Sequence, residues 1–379
     1  MHRDLKLLSL SLFFWGLGEG LFIFFQPIYL QQLGADPIQI GAILGLIGMA
    51  LGAAQIPAGS ISDRIGAKWL IRSSWVIGTL STAIMALASN LTVFMLGMVL
   101  YALTGAVLAP MNSYISSVKG EMSIGRALTF SIGSYNLGAM LGPLTGGFIS
   151  QQIGLKLVYW IAFGLFVIST ITAFFLNEKE IHSEDNNSKR NKPWHNKLFN
   201  TYLLIVLLMV FAAYLPLPLT ANYLHNFHTI PFSSLGILGA LTSMGYIFLA
   251  LIASHLKPEF NLFIAQALMI IFCWMIFQGN SIFIFSLAFL FASGYRYLRS
   301  MVVAFSRQLI RKEYTGLAFG MIESVSAIGY TLAPIAAGLI SAKNPRLLFP
   351  ISSIVLVFVL LASAFTLKFI NKEIIPRNK

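Results

Sequence analysis

Apolar runs, each about the length of a membrane crossing, follow one another along this chain with short polar breaks between them. They lie at 6–31, 38–61, 69–88, 91–116, 125–151 and 155–176, then at 200–224, 232–255, 260–279, 281–306, 315–341 and 347–371. A helix rises 1.5 Å per residue, so ~20 apolar residues cross a hydrocarbon layer of ~30 Å. Inside that layer the backbone must satisfy its own hydrogen bonds, which restricts such runs to helices. The pattern predicts an all-α integral membrane fold of 12 transmembrane helices. The longest polar interruption, from Asn177 to Lys197, divides the spans six and six. The expected organisation is a six-helix bundle at 1–176, a solvated cytoplasmic linker at 177–199 and a second six-helix bundle at 200–379. The N-terminus reaches apolar sequence within a few residues and shows no small-residue cleavage site, so the first span is expected to be retained.

Composition agrees. Hydrophobic residues make up 57% and charged residues 10%, with a mean hydropathy of +0.79. A soluble domain carries about 25% charged residues, so lipid must be the solvent for most of this surface. The net charge of +12 would suggest nucleic acid in a soluble protein. Its placement gives another reading. With the N-terminus cytoplasmic, twenty Lys and Arg fall in cytoplasmic segments, and three, Lys156, Lys343 and Arg346, fall on the other side. Positive residues stay inside, so both termini are expected in the cytoplasm and the span number is even. The basic balance is a topology signal, and no nucleic-acid partner follows from it. The single cysteine, Cys273, excludes a disulfide framework and a multi-Cys metal site. No metal or other cofactor is expected, and the chain is expected to act as a monomer.

The two halves carry a degenerate repeat. Gly125–Gly147 aligns without gaps on Gly316–Gly338, bringing Gly125/Gly316, Ala127/Ala318, Gly138/Gly329, Leu141/Leu332, Pro143/Pro334 and Gly147/Gly338 into register. These are the fifth and eleventh spans, six apart, as expected of a duplicated transporter.

The loop after the second span reads Gly59-Ser-Ile-Ser-Asp63-Arg64-Ile-Gly66-Ala-Lys68. Gly59 permits close helix packing, Gly66 a sharp reversal, and Asp63 can sit at a helix terminus while Arg64 and Lys68 hold the cytoplasmic face. The spacing resembles the G-x-x-x-D-R-x-G-x-K signature of the major facilitator superfamily. That resemblance implies two pseudo-symmetric six-helix bundles, with the signature acting as a cytoplasmic gate. A usual second basic residue is here Ala67. The second-half counterpart, Ser254-His255-Leu256-Lys257-Pro258-Glu259, lacks the signature. The fifth span carries Gly138, Gly142-Pro143 and Gly146-Gly147, where small residues four apart let another helix approach and the proline can act as a hinge. It resembles the antiporter motif of drug:proton exporters, although the glycine expected nine residues before Gly138 is Thr129. The arginine those exporters place on the fourth span, four residues before a glycine, is here Tyr101 before Gly105, so its proton-coupling role does not carry over.

Ionisable residues in hydrocarbon cost about 2.5–3.5 kcal/mol each on insertion scales. Each is therefore a functional candidate. Glu19 lies near mid-depth in the first span, with Trp15 and Gln26 expected on its face; it is the proton-coupling candidate. Arg296 and Arg299 are three apart on the tenth span, and Glu323 enters the eleventh at the depth of Arg299. An Arg299–Glu323 pair is expected to be structural, leaving Arg296 to oppose Glu19 or to bind an anionic substrate group. The resemblance implies that the first, fourth, seventh and tenth helices line the cavity. Tyr101, Leu108 and Asn112 on the fourth span and Tyr214 and Asn222 on the seventh, each set read as one stripe, are further pocket candidates. His225 and His228 are read as outer-loop surface residues.

The expected function is secondary transport by alternating access in the inner (plasma) membrane. With no P-loop in the chain, energy comes from an ion gradient or from the solute's own gradient. Proton-coupled efflux of an amphipathic, drug-like compound is the leading reading. Proton-coupled uptake or facilitated passage of a small, anionic metabolite is the alternative. An intramembrane enzyme needs a cluster of His, Asp or metal ligands that the sequence lacks. A sensor needs an output domain, and the linker is too short for one.

Overall fold

The computed structural model describes residues 2–65, 67–177, 197–309 and 315–374, with the backbone alone at 56–65, 67, 106, 108, 109, 254, 315–317 and 371–374. Among the described residues every regular element is helical. The first stretch forms α1 (Arg3–Phe22) and α2 (Gln26–Gln32), and it is followed by α3 (Pro37–Ile65) and α4 (Ala67–Leu87). The fourth gives α5 (Leu91–Ala102) and α6 (Leu108–Ser117) around a 3-10 turn, Leu103–Val107. Then come α7 (Ile124–Gln152) and α8 (Leu155–Phe174). The segment 178–196, where the linker is expected, lies outside the described residues, and after it come α9 (Lys197–Tyr214), α10 (Thr220–Phe227), α11 (Phe232–Ile252) and α12 (Pro258–Gln278). The chain ends in α13 (Ile282–Ala292), α14 (Gly294–Ser306), α15 (Thr315–Lys343) and α16 (Leu348–Ile374). Among the described residues ten helices are long and apolar enough to cross a membrane, α13 and α14 counting as one and α7 not among them, or eleven if α5 and α6, bent by 44°, also count as one.

The helix starts follow local chemistry. Asn90, Ser123 and Ser281 accept from Val93, Arg126 and Ile284 amides at the N-termini of α5, α7 and α13, satisfying donors that have no partner in the first turn. The interruptions also have causes. Pro27, Pro110, Pro216 and Pro218 have no amide to donate, and they stand at three of the breaks.

The contacts divide the chain into two compact units: Met1–Asp36, Ala50–Glu184 and Leu224–Ala240 in one, Pro37–Met49, Asp185–Tyr223 and Leu241–Lys379 in the other. These differ from a simple cut at the linker in two segments, 37–49 and 224–240. The reason is close helix packing. In the first unit Gly147 of α7 meets Gly236 of α11, and Gly236 meets the Pro143 carbonyl. In the second, Gly338 of α15 meets Gly41 of α3, and Gly41 meets the Pro334 carbonyl. Pro143/Pro334 and Gly147/Gly338 are partners in the sequence repeat, and Gly41 and Gly236 are each the fifth residue of their helix. The repeat thus recurs as the same contact made twice.

In the first unit α1 lies along α7, where Gly138 touches the Phe13 carbonyl, Gly142 touches Gly20 and Gly146 touches the Leu21 carbonyl. Polar side chains join α1, α4 and α8: the Trp75 Nε1 donates to Ser11 Oγ at 2.7 Å and Ser169 Oγ at 2.9 Å. In the second unit the Tyr202 hydroxyl of α9 donates to the Val302 carbonyl of α14 at 2.6 Å. Such bonds supply association where lipid removes the hydrophobic contrast.

Candidate functional site

Four of the twelve apolar stretches, the first, fourth, seventh and tenth, are each built from two helices rather than one. The breaks fall at 23–25, 103–107, 215–219 and 293. Broken helices at corresponding positions of two halves are the pattern that marks binding regions in transporters, because freed backbone groups need a polar surround. The candidate ionisable residues lie next to these breaks, in each unit separately.

In the first unit Glu19 sits one turn before the end of α1, and its backbone carbonyl accepts the Ile23 amide at 2.9 Å. The Tyr135 hydroxyl of α7 donates to Glu19 Oε2 at 2.7 Å. Close approach makes this bond possible, since Gly16 of α1 rests against the Tyr135 backbone. The Tyr101 phenol, at the end of α5, also reaches Glu19. Around them Trp15 packs on Phe166 at 4.3 Å and on Trp75 at 4.7 Å between ring centroids, and stacks with Tyr101 at 6.2 Å. Glu19 is half-buried, while Trp15 and Tyr101 are buried. A carboxyl group therefore stands on an aromatic floor, held by phenols.

In the second unit α14 carries Tyr295, Arg296 and Arg299 within little more than one turn, all half-buried. The Arg299 Nη2 donates to Glu323 Oε2 of α15 at 2.8 Å, the contact expected from their depths. Its guanidinium also lies 5.8 Å over the Tyr330 ring. The Arg296 Nη1 donates to the Ser243 hydroxyl of α11 at 3.2 Å. No carboxylate among the described residues pairs with Arg296. Tyr214, the last residue of α9, stacks on Tyr295 at 5.2 Å and meets Tyr330 edge-on at 5.4 Å. The Tyr330 hydroxyl is buried, with the Tyr295 phenol beside it.

Other candidates are placed differently from the sequence expectation. Gln26 is buried at the start of α2, and the break at 23–25 separates it from the helix of Trp15 and Glu19. Asn112 is exposed on α6, and the 3-10 turn separates it from the helix of Tyr101, so the fourth-span stripe is not continuous. Asn222 is buried on α10, and the break at 215–219 separates it from Tyr214 in the same way. In each case the interruption resets the helical phase on which the stripe depended. Gly59, Asp63, Arg64 and Gly66 lie outside the residues whose side chains are described; Lys68 is half-buried in α4. Gly138, Gly142 and Gly146 face α1, and Gly147 faces α11. His225 lies in α10, its Nδ1 2.9 Å from the Ile230 carbonyl and its ring on Phe232.

Sequence reasoning did not single out Tyr135, Ser243, Tyr295 or Tyr330. Tyr135 stands three residues before Gly138, on the face that meets α1, and that spacing was a usable signal. It also missed a polar clamp at the N-terminal end of α1 in the first unit. There Arg72 donates to the Phe174 and Leu176 carbonyls, Tyr114 to the Asn177 carbonyl, and Asn177 to buried Asp4.

Known proteins give this geometry a context. The family model described as Major Facilitator Superfamily matches residues 8–277. The chain is 22% identical over 355 residues to the quinolone resistance protein NorA of Staphylococcus aureus (strain COL), covering 89% of this chain and 90% of that protein. It is 32% identical over 184 residues to the multidrug resistance protein MdtG of Citrobacter koseri, and that match spans only 45% of MdtG. Among solved structures, the nucleoside transporter NupG superimposes with a TM-score of 0.82 at 15% identity, over 97% of this chain and 99% of that one.

Proposed function

Because the chain belongs to the Major Facilitator Superfamily, whose members are membrane transporters of small molecules and not enzymes, we propose that it exports an amphipathic, drug-like compound in exchange for protons. Glu19 is the proton carrier in this reading. The observation that carries it is the Tyr135–Glu19 hydrogen bond inside the first span. A guanidinium would hold a carboxylate in its charged form. A phenol donates to a carboxylate and can also accept from a carboxylic acid, so the same partner serves both states of a group that must load and release a proton. The names of NorA and MdtG support drug efflux, and the aromatic surround of Glu19 supports an amphipathic cargo.

Alternating access follows from two six-helix bundles, 1–176 and 200–379, joined by the linker 177–199. Twelve crossings are reached by adding α5 with α6 and then α7 to the ten apolar helices. The 29 residues of α7 reach about 43 Å at 1.5 Å per residue, and its Gly, Ser and Thr content lowers its hydropathy without shortening it. Both termini face the cytoplasm of a plasma membrane, and the transporting unit is the monomer. A second reading, uptake or facilitated passage of a small metabolite that can be anionic, is favoured by Arg296, whose described partner is a hydroxyl.

The test is transport in proteoliposomes carrying a pH gradient. Wild-type protein is expected to move a fluorescent amphipathic dye against its gradient when protons run the other way, and Glu19→Gln to lose this while melting normally. Undiminished gradient-driven flux in Glu19→Gln would remove Glu19 from the mechanism.

A further inference from the structure

In the second unit two guanidinium groups share one face of α14, and Glu323 neutralises Arg299 alone. Arg296 donates to a neutral serine hydroxyl, with no described carboxylate in pairing distance. Tyr295 directly precedes Arg296 on α14, and its ring meets those of Tyr214 from α9 and Tyr330 from α15, with the three centroids 5.2, 5.4 and 6.1 Å apart. Tyr214 and Tyr295 are only half-buried, so ring surface is left to cover.

We propose that this face is a subsite for aromatic acids. Arg296, assisted by the Ser243 hydroxyl, takes the carboxylate or sulfonate, and the Tyr214–Tyr295–Tyr330 cluster takes the ring attached to it. The proposal deepens the transport reading and rests on it, naming the chemical class of the cargo.

The chemistry matches in three respects. A planar guanidinium offers paired donors to a carboxylate, the geometry in which arginine outperforms lysine. Ser243 is itself buried and lies on α11, so it fixes the guanidinium from the side opposite its own helix. Aromatic faces hold planar ligands by offset or edge contacts at the spacing the three tyrosines already show. Arg299 has a separate part: bonded to Glu323 and lying over Tyr330, it is a positioning residue that holds the ring cluster in place.

The experiment measures binding to full-length protein in phosphatidylcholine nanodiscs by calorimetry. The probes are 2-naphthoate, naphthalene-2-sulfonate, methyl 2-naphthoate, 2-naphthylmethylammonium and cyclohexanecarboxylate. Both anions of naphthalene are expected to bind at least tenfold more tightly than the ester, the ammonium and the non-aromatic acid. Arg296→Gln should lower 2-naphthoate affinity tenfold or more and leave the ester unchanged, which also reports that the variant is folded. Arg296→Lys should recover part of the loss, and Tyr214→Leu should weaken acid and ester alike. Equal binding of acid and ester, full affinity in Arg296→Gln, or no saturable binding of either anion would overturn the subsite. So would displacement of naphthoate when phosphatidylglycerol replaces part of the lipid, which would assign Arg296 to a headgroup. Naphthoate that binds through Arg296 but does not cross proteoliposomes would leave the subsite standing and refute transport of that cargo. Dye flux without naphthoate binding would do the reverse.

Discussion

At the scale of single residues, the position of Glu19 depends on groups that carry no charge. Tyr135 donates to its carboxylate at 2.7 Å, and Tyr101 reaches it from α5. Tyr135→Phe removes the donor without changing the ring, and it is expected to slow pH-gradient-driven flux about three- to tenfold, the range of roughly one typical intramolecular hydrogen bond. Tyr101→Phe keeps the stack on Trp15 and should cost less. The readout is initial rate in proteoliposomes with the melting temperature as control; equal rates for Tyr135→Phe and wild type would detach the phenol from the proton step. The sequence made Glu19, Arg299 and Glu323 visible because charges stand out in apolar runs. It hid Tyr135, Ser243 and Tyr330, since neutral polar residues are common in such helices and their pairing depends on which helices cross.

Among the elements, prolines have two outcomes. Pro27, Pro110, Pro216 and Pro218 stand at helix breaks, whereas Pro143 and Pro334 lie inside the unbroken α7 and α15. Each internal proline leaves the carbonyl four residues earlier without its helical donor. In α7 that carbonyl, of Ala139, rests against Gly20 of α1; in α15 the Tyr330 carbonyl rests against Gly48 of α3. A neighbouring helix brought close by glycine compensates, and the helix continues. The prolines were legible and their outcome was not, because it is set by the partner helix. The break at Ser293 has no proline, and its signal in the sequence is the weaker Ser293-Gly294 pair. The glycines can be tested directly. A Cβ at Gly142 would lie 2.5 Å from the Gly20 Cα, whereas Gly125 has nothing within 4 Å. Gly142→Val should therefore force α1 and α7 apart at a cost of about 1–3 kcal/mol or more, lowering the melting temperature and the yield of monodisperse protein. Gly125→Ala should be neutral. A Gly142→Val protein that melts with wild type would show that the α1–α7 contact is looser than described.

For the whole molecule, the apolar helices were readable from hydropathy, while the grouping of segments 37–49 and 224–240 in the two units was not, because it arises from glycine contacts between helices far apart in sequence. Orientation rests on the asymmetry of twenty basic residues against three. It leads to a labelling prediction with little background, since Cys273, the chain's single cysteine, is buried in α12. Ser188→Cys places a thiol in the linker, and Ala342→Cys places one at the exposed end of α15. In intact cells a membrane-impermeant maleimide should label Ala342→Cys and leave Ser188→Cys at the level of the unmodified chain; after permeabilisation both should react. The reverse pattern would mean that the basic loops face outward. In that case the proton gradient would act on Glu19 from the other side, and the direction assigned to the exchange would have to be inverted with it.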